Sequence, residues 1–250
     1  MNGFTLKIIA LVTMFIDHIA AAFPHIFHPD FRLIGRLSFP IFAFLIAEGF
    51  RRTRDPKKFV IRLAIFALIS EVPFDWTFPR GLEPWHVNPF YNTNIFVTLT
   101  LAGIGIYLYK KMQPEWGWVA LMPGTAAALI ANVLGSDFAA PGVILIMAMY
   151  LIPNKKYIIP VMIGFCVLQF GGFYSGVLRF VSAYSFYTAM SFYGDQIWHG
   201  ILMTLATLLA VLFMLSYNGK RGPGWKWFFY AAYPAHLLVL GVLVSLGVFV

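Results

Sequence analysis

Apolar residues in this chain come in nearly unbroken blocks, at 8–16, 41–47, 98–109, 143–152 and 237–250, rather than at the spacing of a one-sided helix. A helix that is apolar all round belongs in a large core or in lipid. A hydrocarbon layer about 30 Å thick needs roughly 20 such residues per crossing. The pattern predicts helices near 5–23, 32–50, 58–75, 93–110, 117–134, 138–152, 157–171, 199–216 and 227–249. The expected fold class is therefore an all-α integral membrane protein, a polytopic bundle of about nine transmembrane helices, with eight to ten fitting the length. Residues 1–250 are expected to form one membrane domain, their length being taken up by these spans and short loops.

Composition supports the pattern. Hydrophobic residues make up 60% and charged residues 11%, with a mean hydropathy of +0.77; soluble domains carry roughly 25% charged residues. The net charge of +8 does not mark a nucleic-acid binder. Its lysines and arginines lie between the apolar blocks, as in cytoplasmic loops, and form no polar stripe. The single Cys166 allows neither an internal disulfide nor a cysteine-based metal site. The first helix resembles a signal peptide, but Asp17 and His18 interrupt its apolar run, which reads as a retained span.

The densest basic segment, Arg51-Arg52-Thr53-Arg54-Asp55-Pro56-Lys57-Lys58, is expected in the cytoplasm, which puts the N-terminus there too. Lys110-Lys111 and Lys155-Lys156 then fall on the same side. The aromatic and polar stretch 171–196, which carries Arg179, leaves two alternatives. If it crosses, the basic loop Asn218–Gly222 lies outside; if it lies at or re-enters the outer interface, that loop is cytoplasmic and the C-terminus is outside. The second keeps the charge rule intact.

Ionisable residues at membrane depth are costly and point to function. Lys7 and His18 are eleven positions apart, so they share one face of the first helix, about 16 Å apart along the axis. Asp17 points about 100° away from His18 and is expected to serve another neighbour. Arg36 on the second helix lies about 21 Å above its basic end, and Glu71 on the third about 20 Å above Lys58. Matching depth on antiparallel helices predicts an Arg36–Glu71 ion pair. Thr98, about 18 Å above Lys110, and His236, about 14 Å above Trp227, fall slightly below. Together these residues predict a buried polar layer.

Each has a blander reading. His18 can be a hydrogen-bonded core histidine, an Arg36–Glu71 pair a packing clamp, and Lys7 a snorkelling interface residue. His25, His28, His86 and His199 read as solvated. Pro24, Pro29, Pro40, Pro73, Pro79, Pro84 and Pro89 mark helix ends or kinks. Asp137 and Asn218 stay unassigned.

Taken in order, a series of strings resembles the TraX family. They are Ile16-Asp17-His18-Ile19, Gly35-Arg36-Leu37-Ser38-Phe39-Pro40, Glu48-Gly49-Phe50, Thr53-Arg54, Ser70-Glu71-Val72-Pro73-Phe74-Asp75, Asn94-Ile95-Phe96-Val97-Thr98-Leu99, Tyr217-Asn218-Gly219-Lys220-Arg221-Gly222 and Tyr233-Pro234-Ala235-His236-Leu237. Each is weak alone, and their order is what makes the resemblance specific. Residues 111–200 match in hydropathy only. The family is named for a conjugation protein implicated in acetylating the pilin N-terminus, and it resembles the wider group of transmembrane acyl-CoA-dependent acyltransferases. Many of that group carry a basic residue and a histidine with ten residues between them, which Lys7 and His18 match.

The resemblance implies a bacterial inner-membrane acyltransferase, an acetyltransferase first. It would use cytosolic acetyl-CoA as donor and a protein N-terminus, a glycan or a lipid as acceptor, with no metal. Catalytic roles would fall to His18 as base or acyl carrier, with Arg36, Glu71 and Asp17. The nucleotide would dock on Lys7, Arg51, Arg52, Arg54, Lys57, Lys58, Lys220 and Arg221, whose charges suit phosphates. Asn94, Thr98 and His236 would line the acceptor side. The residues alone also allow a proton-coupled small-solute transporter, although no internal repeat supports it, and a non-catalytic assembly factor for pilin-like substrates. Oligomeric state is not legible, because lipid-facing and subunit-facing surfaces look alike.

Overall fold

The structure, a computed structural model, describes residues 1–78, 93–183 and 186–248. His86, Pro79, Pro84, Pro89, Tyr184 and Ser185 lie outside the described residues. The helices are α1 (Gly3–Ala22), α2 (Phe31–Gly35), α3 (Ser38–Arg52), α4 (Pro56–Thr77), α5 (Ile95–Trp116), α6 (Met122–Val133), α7 (Ala139–Leu151), α8 (Ile158–Ala183), α9 (Phe186–Leu215) and α10 (Lys226–Ser245). Each of the nine segments expected from the sequence is helical. The second is broken into α2 and α3 at Arg36 and Leu37.

Among the described residues, six segments are long and apolar enough to cross a bilayer: Gly3–Ala22, Phe31–Arg52, Ile95–Val133, Lys155–Ser182, Tyr193–Leu215 and Lys226–Ser245. The protein is an all-α polytopic membrane protein. At 12 and 13 residues, α6 and α7 are each only about 18–20 Å long, short of a full crossing. The outward face of α4 is what lipid requires: Leu68 is 78% and Val72 74% exposed, with Ile61, Ile65, Ile69 and Trp76 on the same side. Water would disfavour such a surface, whereas hydrocarbon does not.

Helix starts follow local chemistry. Asn2 accepts a hydrogen bond from the Thr5 N–H at 2.9 Å, Asp55 from Lys58 N–H at 2.9 Å ahead of Pro56, and Asn94 from Phe96 N–H at 2.9 Å; side-chain oxygens at these positions satisfy otherwise orphan donors. The Lys58 N–H also holds the Asp55 carboxyl below its ordinary pKa. Inside, small residues let the backbones approach: Ala10, Ala43, Ala47, Ala102 and Ala131 are fully buried. A Cβ added to Gly105 in α5 would stand 3.1 Å from the Gly124 Cα in α6. Pro73 in α4 removes an intrahelical bond, and the nearby Thr77 hydroxyl donates to Pro73 O at 2.9 Å and Leu237 O at 2.7 Å, joining α4 to α10.

The described residues of the stretch 171–196 are helical: 171–183 belong to α8 and 186–196 to α9, and the two helices are clasped where the Tyr174 hydroxyl donates to Gly200 O at 2.9 Å. At 26 and 30 residues these helices measure about 39 and 45 Å, more than one hydrocarbon thickness. The chain then returns to the end of the bundle that holds the other basic loops. There Gly3 N–H donates to Lys220 O at 2.8 Å, Lys155 Nζ to Leu215 O at 3.1 Å, and Arg52 to Gly219 O. The basic segments 51–58, 155–156 and 218–222 thus share one end with the start of α1.

Candidate functional site: a cavity from a basic mouth to a histidine pair

One cavity of about 870 Å³ runs from that basic end into the bundle. Its mouth is lined by Lys7, Arg52, Arg54, Arg62, Arg221 and Lys226, with Glu48 as the carboxylate among them. Its middle is apolar, with Leu11, Phe42, Phe59, Leu63, Phe96 and Phe229 on the wall. Its far chamber is polar and holds Asp17, His18, Arg32, Arg36, Asp137 and Tyr233. Lys7 and His18 mark its two ends on α1. The volume lies within the roughly 300–1,000 Å³ range of small-molecule sites.

The mouth is built from helix ends and loops. Lys7 Nζ lies 5.3 Å from the centroid of the Phe229 ring, and the Arg62 guanidinium 5.6 Å from that of Phe59. The Arg62 Nε hydrogen is buried with no acceptor among the described residues. Glu48 is held by Arg51 and by Arg52, the latter at 2.8 Å. Arg51 is used elsewhere: it also donates to the carbonyls of Met149 and Tyr150, tying α3 to α7, and it does not line the cavity. Lys57 and Lys58, in the first turn of α4, and Lys220, on its loop, are exposed outside the mouth, Lys58 pairing with Asp55 at 3.2 Å.

In the chamber, His18 Nδ1 stands 2.7 Å from His236 Nε2. The rings are 18° from parallel with centroids 4.9 Å apart, which fits a hydrogen bond lying in the common plane. His236 Nδ1 is 2.9 Å from the Ala232 carbonyl oxygen, which can only accept. In the neutral pair His236 therefore carries its proton on Nδ1 and offers Nε2 as acceptor. His18 must donate from Nδ1, which leaves its Nε2 as a lone pair. His236 itself does not line the cavity; it stands behind His18.

Asp17 turns away from His18, as helix geometry requires, and accepts from Arg36 Nη2 at 3.0 and 3.1 Å and from Arg32 Nε at 3.3 Å. The expected Arg36–Glu71 pair does not form. Depth along the axis matched, but the direction around it did not. Gly35 brings α2 so close to α1 that a Cβ there would lie 2.2 Å from the Asp17 Cβ, so Asp17 meets Arg36 first. Glu71 instead accepts from the side chain and backbone N–H of Asn94, and Asn94 Nδ2 also donates to Ala67 O at 2.9 Å.

Glu71, Asn94 and Thr98 do not line the cavity. Asn94 caps α5, and the Thr98 hydroxyl lies 2.9 Å from Ser136 Oγ and bonds the Asp137 carbonyl. These residues were expected at the reaction layer because they are polar at the right depth. Their polarity serves helix joining.

The sequence reading missed Arg32, Arg62, Lys226, Tyr233 and the position of Asp137. Two of these had a signal: Arg32 and Arg62 stand four residues from Arg36 and Lys58, on the same helix faces. Among the described residues, no three His, Cys, Asp or Glu side chains converge as a metal site would need.

Fold and cavity together define a polytopic helical membrane protein with a polar chamber reached from one basic end. Its family follows from comparison: the model described as "TraX protein" matches residues 2–244, and the chain belongs to the TraX family. A curated relative, "Probable fimbrial assembly protein FimC, serogroup H1" of Dichelobacter nodosus, is 27% identical over 248 residues, covering 96% of this chain and 94% of that one. No solved structure matches.

Proposed function

We propose that this chain is a membrane-embedded acetyltransferase that moves an acetyl group from cytosolic acetyl-CoA to the free amine of a fimbrial or pilin-like subunit. The observation that carries the reading is the single cavity joining the cation-rich mouth to His18. The relative named for fimbrial assembly supports an acceptor of that kind. In this reading the basic end faces the cytoplasm of a bacterial inner membrane, where Lys- and Arg-rich loops are retained.

Acetyl-CoA carries a charged nucleotide that lipid excludes and a long, flexible arm that it tolerates. Its phosphates meet Lys7, Arg52, Arg54, Arg62, Arg221 and Lys226, and a phosphate oxygen supplies the acceptor that Arg62 Nε lacks. The arm passes the apolar middle and brings the thioester to the chamber. The acceptor nitrogen attacks the thioester carbonyl while His18 Nε2 takes its proton. Arg36 spends Nη2 on Asp17 and Nε on the Arg32 carbonyl, which leaves Nη1 for the oxyanion of the tetrahedral intermediate. Collapse breaks the C–S bond, and the CoA thiolate takes the proton back from His18. The products are an N-acetylated acceptor and free CoA.

The test uses purified protein in proteoliposomes with acetyl-CoA and a short apolar peptide bearing a free α-amine. Release of the CoA thiol and acetylation of the peptide are read together. Wild type turns over, and His18→Ala falls to background while melting as wild type does. Wild-type turnover in His18→Ala contradicts the mechanism.

A further inference from the structure

We infer that Asp137, with Tyr233 beside it, is the docking group for the acceptor's amine. This rests on the acetyltransferase reading and names the part of the chamber that it leaves unassigned.

Asp137 sits in the turn between α6 and α7, and its exposed side chain lines the cavity. Arg32 and Arg36 are within electrostatic reach, yet both spend their ion pairs on Asp17. Among the described residues Asp137 has no cation within ion-pairing distance. A carboxylate that faces the chamber with no cation of its own suits a ligand that brings a positive charge.

The turn is built to hold that carboxyl in place. Asp137 N–H donates to Thr93 O at 3.0 Å, and the Asp137 carbonyl accepts from the Thr98 hydroxyl. The next two residues, Phe138 and Ala139, have φ of 58° and 39°, a left-handed backbone that strains non-glycine residues and tends to cluster at functional sites. Phe138 is held there by the Phe39 ring, stacked at 3.9 Å and 8°.

Tyr233 is the independent observation. It is 4% exposed, lines the cavity, and its hydroxyl has no hydrogen-bond partner among the described residues, although the Ile95 backbone N–H is close by. It is within electrostatic reach of Asp137 and stands edge-on to His18, ring centroids 5.9 Å apart. A primary ammonium has three N–H donors. One suits the Asp137 carboxylate and one the Tyr233 oxygen, with the third turned towards His18. Asp137 takes the first proton and so frees the nitrogen lone pair. His18 takes the second as the C–N bond forms and returns it to the departing CoA thiolate. The proton left on Asp137 is the one that the overall reaction of an ammonium releases.

The test is binding, measured by calorimetry on detergent-purified protein. The probes are a short apolar peptide amide with a free α-amine and its twin with a hydroxyl in place of that amine. Wild type is expected to bind the amine about tenfold more tightly than the hydroxyl twin. Asp137→Asn is expected to bring the two within about twofold and to leave acetyl-CoA affinity unchanged, which also shows that it is folded. Tyr233→Phe is the second variant and weakens the amine alone, by a smaller factor. Wild type that binds neither twin, or both equally, overturns the inference, as does a preference kept in folded Asp137→Asn. Failure of the acetyltransferase reading registers separately, as wild type that neither binds acetyl-CoA nor releases its thiol.

Discussion

The 2.7 Å between His18 Nδ1 and His236 Nε2 is closed by a proton that belongs to His18, because His236 Nδ1 is already committed to the Ala232 carbonyl. The partner on α10 thereby fixes which His18 nitrogen stays basic and which way its ring lies. His236 is a positioning residue, in the sense that it acts through His18.

His236→Ala leaves His18 free to rotate and to change tautomer. Outer partners that orient a functional histidine are worth about 10–100-fold in activity at metal sites, and a loss of that order in kcat is expected here, with KM for acetyl-CoA unchanged. His18→Ala removes the base itself and costs about 10²–10⁴-fold. Steady-state kinetics on the two variants separates the roles. Equal losses in both, with KM raised, contradict them.

Gly35→Ala adds a methyl 2.2 Å from the Asp17 Cβ, where no flexible group can yield. It forces α2 from α1 and breaks the Asp17–Arg36 pair. A cost of about 1–3 kcal/mol is expected, read as a lower Tm in detergent, with activity lost alongside. Gly164→Ala in α8 meets nothing within 4 Å and serves as the neutral control.

Thr98→Val keeps the shape of the side chain but removes the hydroxyl that bonds the Asp137 carbonyl and Ser136. Buried groups left unpaired cost about 1–3 kcal/mol. Thr98→Ser restores the hydroxyl and most of the stability. Equal melting of all three proteins removes Thr98 from the account.

Much of this was legible in the sequence, for physical reasons that differ by residue. The nine helical segments follow from apolar blocks alone, and the shared face of Lys7 and His18 from helical pitch. The Asp17–Arg36 pair was not legible, because depth can be counted along a helix whereas its rotation against a neighbour depends on where Gly35 permits contact. Asn94 and Thr98 stand off the cavity for a related reason: polarity at depth marks either chemistry or a satisfied helix end, and only the partner distinguishes them. The break at Arg36 and Leu37 lies four residues before Pro40, which cannot donate to the Arg36 carbonyl, whereas the left-handed turn after Asp137 has no signal in composition.

The topology has a direct check. Cys166 is the only cysteine and is buried, so single cysteines placed at Lys57, Lys156 and Asn218 report cleanly. All three are expected to react with an impermeant maleimide from the same side of oriented membranes. Labelling of Asn218→Cys from the opposite side contradicts the returning α8–α9 hairpin.

The central claim is that acetyl-CoA enters at the basic mouth and reaches His18 through one cavity. Calorimetry of acetyl-CoA binding to the purified protein tests it most directly. Micromolar binding is expected in wild type, weakened about tenfold in Lys7→Ala and in Arg62→Met, and unchanged in Lys220→Ala and His18→Ala. No binding to well-folded wild type, or equal binding in Arg62→Met, contradicts the claim.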